Sequence, residues 1–321
     1  MAAATKYELK MGAATREAFG KMLVELGKEN PNIVVGDADL TKSTMTTYFA
    51  KEFPDRLFEC GIAEANMVAI GAGLAMAGKI PFVSSFSAFV LTKGFEQLRV
   101  LAAYPSANLK VVGTHSGISI GEDGPSQMSV EDLALAGALP NFTVLSPADE
   151  VATRWAVRWA AEHHGGVFIR CGRVKAPVVY PADAKFEVGK AVELLPGTDV
   201  TLVATGLLVA ESIKAAEQLD AEGISARVLD IHTIKPIDDE ALGRAAKETG
   251  ALVVSEEHLV DSGLGARVAQ ALARTYPAPV EFVGLEGYAE SGSPDELLDK
   301  YGMRAGNIVE AARRVLARKQ K

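Results

Sequence analysis

Ile80-Pro-Phe-Val-Ser-Ser-Phe-Ser-Ala-Phe-Val-Leu-Thr-Lys-Gly-Phe-Glu-Gln-Leu-Arg-Val-Leu-Ala-Ala103 decides the fold. Residues 80–83 form a short apolar run with β-branched and aromatic members, which reads as a buried strand. From 88 to 103 the pattern changes: Phe89, Leu91, Phe95, Leu98 and Leu101 recur at helical spacing. A new apolar run follows at 109–112, so this stretch is one strand–helix–strand unit. Outward from it the same alternation continues. Strands are predicted at 33–35, 57–60, 142–145 and 167–169, and helices near 13–28, 64–77 and 149–163. Such alternation implies a mostly parallel sheet.

Residues 172–188 interrupt the pattern with Pro177 and Pro181 and no helical period, so a linker is expected there. The alternation restarts with strands at 199–204, 226–229, 251–255 and 280–283. Helices follow near 208–221, 238–248, 263–275 and 305–318, the second announced by Asp238 before Glu240, Ala241 and Leu242. The expected fold class is α/β. It comprises two consecutive domains, 1–180 and 181–321, each a mostly parallel sheet flanked by helices.

Composition bounds the function. The 321 residues are 23% charged and 48% hydrophobic, a globular balance. A net charge of −8 argues against nucleic-acid binding but leaves room for a local basic pocket. Two cysteines, Cys60 and Cys171, make no disulfide framework and point to a reducing compartment. The start MAAATKYELK has no signal-peptide core. The longest apolar run, 200–210, is broken by Thr205 and Gly206 and is too short to span a bilayer. The expectation is a cytoplasmic protein that binds no membrane.

Taken singly, the polar residues near these elements have ordinary readings. Glu64 opens a predicted helix, where a carboxylate is stabilised by the dipole. Ile62, Met67, Val68 and Ile70 surround it with apolar material, so partial desolvation is expected. Phe86 and Phe89 follow a strand, as core aromatics do. His115 and Asp123 lie in a Gly- and Pro-broken loop, and Arg16, Ser43 and Arg173 are individually unremarkable surface polar groups. Ser43 and Arg173, however, both follow strands, where the crevice of a parallel sheet lies, and guanidinium grips phosphate bidentately.

Taken as strings, the motifs are more specific. Cys-Gly-Ile-Ala-Glu-Ala-Asn-Met (60–67) and Gly-Glu-Asp-Gly-Pro-Ser-Gln-Met (121–128) resemble the transketolase family. So do Leu-Asp-Ile-His-Thr-Ile-Lys-Pro (229–236), Ser-Glu-Glu-His (255–258) and Ser-Gly-Ser-Pro-Asp-Glu-Leu-Leu (291–298). The resemblance covers nearly the whole chain and implies thiamine diphosphate chemistry that moves a two-carbon ketol unit between sugar phosphates. Glu64 then matches the glutamate that hydrogen-bonds the pyrimidine ring and supports the tautomer that activates the cofactor. Phe86 and Phe89 match phenylalanines packed on that ring, and Asp39 an aspartate near the cofactor across a subunit boundary. His115, Asp123 and Gln127 match residues facing the sugar, Gln127 standing where many relatives carry histidine. Arg16, Ser43 and Arg173 match contacts to the substrate phosphate. Arg170 and Lys175 have no such match and read as structural or solvated.

The Gly-Asp-Gly sequence through which the family holds its metal and diphosphate is not matched by Gly36-Asp37-Ala38 or Glu122-Asp123-Gly124. His232 and His258 fit no metal spacing and read as structural or interface residues. Gly263-Leu264-Gly265 is only a weak dinucleotide signal. The resemblance therefore implies the C-terminal subunit of a split transketolase. Its partner, an N-terminal subunit with the Gly-Asp-Gly motif, would hold Mg²⁺ or Ca²⁺, and the assembly would contain two copies of each chain. Two enzymatic alternatives share the glutamate: a β-type subunit of a 2-oxo acid dehydrogenase and a deoxyxylulose-phosphate synthase fragment. A scaffold or regulatory module is the non-enzymatic one.

Overall fold

The computed structural model describes residues 7–319; Met1–Lys6, which open the stretch read for a signal segment, lie outside them. The strands in chain order are β1 (Lys10–Ala14), β2 (Ile33–Asp37), β3 (Leu57–Glu59), β4 (Ile80–Phe86), β5 (Lys110–Thr114), β6 (Phe142–Leu145) and β7 (Gly166–Arg170). They continue with β8 (Lys175–Val178), β9 (Val192–Leu195), β10 (Val200–Ala204), β11 (Ala226–Asp230), β12 (Thr233–Lys235), β13 (Leu252–Leu259) and β14 (Val280–Leu285). A seven-stranded sheet has the order β12-β6-β7-β5-β4-β2-β3 and is parallel except for β12. A five-stranded sheet has the order β14-β13-β10-β11-β9 and is parallel except for β9. This is the expected α/β class.

The central strands are continuous apolar runs because both faces of each sheet are covered; β2, β5, β7, β10 and β11 are buried throughout. Helices Thr15–Glu29 and Glu150–Glu162 cover one face of the larger sheet, packing Phe19, Leu23 and Val157 on Ile33, Val112 and Ile169. On the other face Val83, Val111 and Phe168 join Met67 and Leu98 in a cluster with Leu252, Val254 and Leu264 from the second half. The two halves thus share a core. Asp149 adds a polar tie: its carboxylate accepts from Ala152 N–H at 2.8 Å, capping a helix, and from Val179 and Tyr180 N–H.

Four expectations change. The helix read over 88–103 breaks at Gly94 into Ser87–Lys93, Phe95–Gln97 and a π-helical turn, Leu98–Ala103. Gly94 sits against Val68 and the Glu64 carbonyl, so the break lets two helices approach closely. The 172–188 linker contains β8, which pairs antiparallel with β1; Pro177 is tolerated because this is a two-stranded ribbon rather than a sheet interior. The buried strand read at 57–60 is instead the half-exposed edge strand Leu57–Glu59. Finally β12, from the second half, crosses over to complete the first sheet. Among the described residues no helix is long and apolar enough to cross a membrane. Cys60 and Cys171 are free.

Candidate active site

Strands β7, β5, β4 and β2 are neighbours, all parallel, and their C-terminal ends deliver the candidate residues to one edge of the sheet. β2 leads to Asp39 and Ser43, β4 ends at Phe86, β5 leads to His115, and β7 leads to Arg173. Arg16 enters from the first turn of helix Thr15–Glu29.

Arg16 is the hub of the anion-facing side. Its Nη1 donates to the Ser43 carbonyl at 2.7 Å and meets His115 Nε2 at 3.2 Å. Burial, with Arg173 nearby, lowers its affinity for its proton below that of an ordinary arginine. His115 is buried, and burial, with Arg16 and Arg173 beside it, pulls its pKa down to about 3, so the imidazole is neutral. Its ring stacks on Phe86 with centroids 3.9 Å apart. His115 and Asp39 both hold φ near +60° (58° and 64°), a region that non-glycine residues occupy at an energetic cost and that clusters at functional sites. Asp39 itself is exposed; its N–H donates to Glu59 Oε1 at 2.7 Å.

The loop bearing Asp39 and Ser43 is organised by Asp37, named above only within the unmatched Gly36-Asp37-Ala38. Asp37 is fully buried and accepts from Leu40 N–H and from the hydroxyls of Thr44 and Thr46, at 2.7, 2.7 and 2.8 Å. Burial pushes its pKa up to about 6 against those hydrogen bonds. The available signal was an aspartate at a strand end followed by two threonines within reach.

Glu64 lies on the other side. It is only 2% exposed. The expectation that Ile62 and Ile70 shield it is wrong, since both point to solvent, Ile62 at 76% exposure. The carboxylate is instead enclosed by Ser85, whose hydroxyl donates to Oε1 at 3.3 Å, and by Lys93, 3.5 Å from Oε2. Phe86 and Phe89 stack at 5.5 Å and 14°, and Lys93 Nζ lies 4.4 Å over the Phe89 ring. A flat apolar wall beside a buried carboxylate fits a heteroaromatic ring that presents a nitrogen to Glu64. Among the described residues no group of three or more His, Cys, Asp or Glu side chains is arranged to hold a metal.

The loop after β5 is a loop, as read, but most of it is closed off from solvent. Thr114–Gly121 is buried, and Ile118, Ile120 and Met128 belong to the core cluster of the second half. Only the tip is open: Asp123 is exposed and Gln127 half-buried, accepting from the Ser126 hydroxyl at 2.5 Å. Arg173 grips the same tip, donating to Glu122 at 2.8 Å and to the Ile120 carbonyl. Gly117, at φ 79°, lies where a Cβ would collide with Glu257, whose carboxylate accepts from Ser119 N–H. Gly124, also at positive φ, packs on Ser291. Two sequence strings far apart in the chain therefore meet at this loop.

Behind it lies a buried ionic cluster. Arg170 Nε donates to Asp132 at 2.8 Å, and its Nη2 to the Glu257 carbonyl at 2.8 Å. His258, fully buried, sits 3.8 Å from Asp132. Arg170 is thus structural, as is His232, packed on Trp155 and Phe186; Lys175 is exposed. The weak dinucleotide reading of 263–265 is corrected: the Glu256 carboxylate accepts from Leu264 and Gly265 N–H and occupies that helix start itself.

Residues 11–178 match the transketolase pyrimidine-binding domain and residues 189–308 the transketolase C-terminal domain. The chain belongs to the transketolase family. A transketolase relative, a putative transketolase C-terminal section from Methanocaldococcus jannaschii, is 42% identical over 92% of this chain and 94% of its own length. Human transketolase is 39% identical over 97% of the chain, which spans 50% of that protein. A solved split-gene transketolase, described as an inactive β4 tetramer, superposes with a TM-score of 0.90 at 48% identity, covering 96% of this chain and all of that one.

Proposed function

We propose that this chain is the C-terminal subunit of a split transketolase, with a pyrimidine-binding domain to about residue 180 and a C-terminal domain after it. It would act in the pentose phosphate pathway of the cytoplasm, moving a glycolaldehyde unit from a ketose phosphate such as xylulose 5-phosphate to an aldose phosphate such as ribose 5-phosphate. The observation that carries the reading is the pairing, on neighbouring strand ends, of an Arg16–His115–Ser43 cluster with the Glu64–Phe86–Phe89 wall.

Thiamine diphosphate supplies the carbanion chemistry when bound. Glu64 would hold the pyrimidine ring through its carboxyl group, and Phe86 and Phe89 would pack beside it. Asp39 faces the cofactor region across the boundary with the partner. Arg16, Ser43 and Arg173 bind the substrate phosphate. His115, Asp123 and Gln127 line the way to the sugar. The partner, bearing the Gly-Asp-Gly motif, brings Mg²⁺ or Ca²⁺ and the diphosphate site.

A two-plus-two assembly is supported by exposed apolar side chains on adjoining segments: Ile62, Ile70 and Met76 (66% exposed), with Val100 and Tyr104. The inactivity of the β-only relative also supports the need for a partner. The chain alone, given thiamine diphosphate and Mg²⁺, is expected to show no appreciable ketol transfer. Adding the partner should restore activity in a complex with two copies of each chain. Full turnover by the chain alone overturns the split reading.

Asp123→Ala tests the sugar side. Asp123 is exposed at the loop tip, and a charged acceptor for sugar hydroxyls is worth about 1.5–3 kcal/mol. kcat/KM for a phosphoketose donor should fall accordingly while cofactor affinity, read by calorimetry, stays unchanged. An unaltered kcat/KM removes Asp123 from substrate recognition.

A further inference from the structure

A hydroxyl that no part of the proposed mechanism uses settles the state of the candidate histidine. Guanidinium has no hydrogen-bond acceptor, so in the 3.2 Å contact between Arg16 Nη1 and His115 Nε2 the arginine must donate. Nε2 therefore carries a lone pair. In a neutral ring the proton then sits on Nδ1, which lies 2.9 Å from Thr114 Oγ1. The threonine oxygen accepts that proton's bond and sends its own hydrogen to the Ser85 carbonyl at 3.3 Å. Every group in the sequence Arg16, His115, Thr114, Ser85 has one direction open to it. Thr114 and Ser85 are fully buried, so no solvent competes for these bonds.

We propose that Thr114 is a positioning residue that locks His115 as the Nδ1–H tautomer, making the imidazole an acceptor that aims Arg16 and not a donor to the sugar. The alternative tautomer would set an N–H of the ring against the N–H of a cation, with no acceptor between them. The stack of His115 on Phe86 fixes the ring plane, and the Ser43 carbonyl fixes the other side of the guanidinium, so the tautomer decides where the charge of Arg16 points. The same strand end serves the other side of the site: the Ser85 hydroxyl donates to Glu64 while its carbonyl ends the histidine chain. The inference rests on the anion-binding role proposed for Arg16, but its first readout does not.

The experiment uses the full chain labelled with nitrogen-15 histidine, with the His115 signals assigned against a His115→Gln sample. Near neutral pH, His115 should show a proton-bearing Nδ1 and a lone-pair Nε2. Thr114→Val, which keeps the side chain's shape, should mix the tautomers and weaken binding of inorganic phosphate roughly fivefold, the effect of one lost hydrogen bond. Thr114→Ser, which restores the hydroxyl, should recover both. A proton on Nε2 in the wild type, a doubly protonated ring, or an unchanged spectrum in Thr114→Val overturns the proposal. An Nδ1–H ring in a protein that binds neither phosphate nor ribose 5-phosphate upholds the tautomer lock and instead sinks the phosphate role of Arg16.

Discussion

Glu64→Gln in the assembled enzyme is expected to slow hydrogen–deuterium exchange at the reactive carbon of bound thiamine diphosphate by a factor of about 10²–10⁴, the usual effect of removing a positioned acid–base group. Gln keeps the size of the side chain, and its Oε1 can still accept from the Ser85 hydroxyl. What it cannot do is exchange a proton with the pyrimidine ring. The lost ion pair with Lys93 is a minor matter for folding, because Lys93 is half-exposed and such pairs are worth about 0–1 kcal/mol. Stability to urea and pairing with the partner should therefore match the wild type while exchange collapses. A wild-type exchange rate would leave Glu64 as a carboxylate at a helix start and nothing more.

Arg170→Met should produce the largest loss of stability, about 3–5 kcal/mol, because it strands buried carboxylates without their cation. Burial works against the Asp132 carboxylate, and Arg170, helped by His258, outweighs it and holds Asp132 below its ordinary pKa. Glu256 and Glu257, on the adjoining strand, are pushed the other way by burial and are likewise steadied by Arg170. The guanidinium also ties the carbonyls of Ser129 and Glu257, so its loss frees the loop from the second half. Urea unfolding of the purified chain measures the effect. Asp132→Asn combined with Arg170→Met should recover part of the loss, since fewer bare charges remain buried. A single-variant shift below about 1 kcal/mol would mean that the cluster is hydrated or otherwise neutralised.

The sheets were legible because their strands are continuous apolar runs bounded by turn residues; Val111-Val112 and Val167–Ile169 announce themselves. Thr233–Lys235 does not, because a three-residue edge strand has no period and gains its pairing only from Val144 and Leu145, far away in sequence. The site divides the same way. Glu64, Phe86 and the 121–128 string were visible as motifs. Ser85 and Thr114 were not, because their roles lie in hydrogen bonds that link elements distant in sequence, and Asp37 was not because its local bonds to Leu40, Thr44 and Thr46 form only once the loop folds around it. Ile62 and Ile70 misled for the complementary reason: apolar neighbours in sequence are not neighbours in space, for Ile62 lies in the exposed bend before helix Glu64–Met76 and Ile70 on its outer face.

The placement of β12 has a consequence for how the chain is made and how its gene can be cut. The first sheet lacks its last strand until residue 235 has left the ribosome, although the polypeptide for its other six strands is complete by residue 170. During that interval the edge of β6 is open to pairing with any passing strand. A gene severed near residue 180, at the seam that sequence alone advertises, would make the interval permanent.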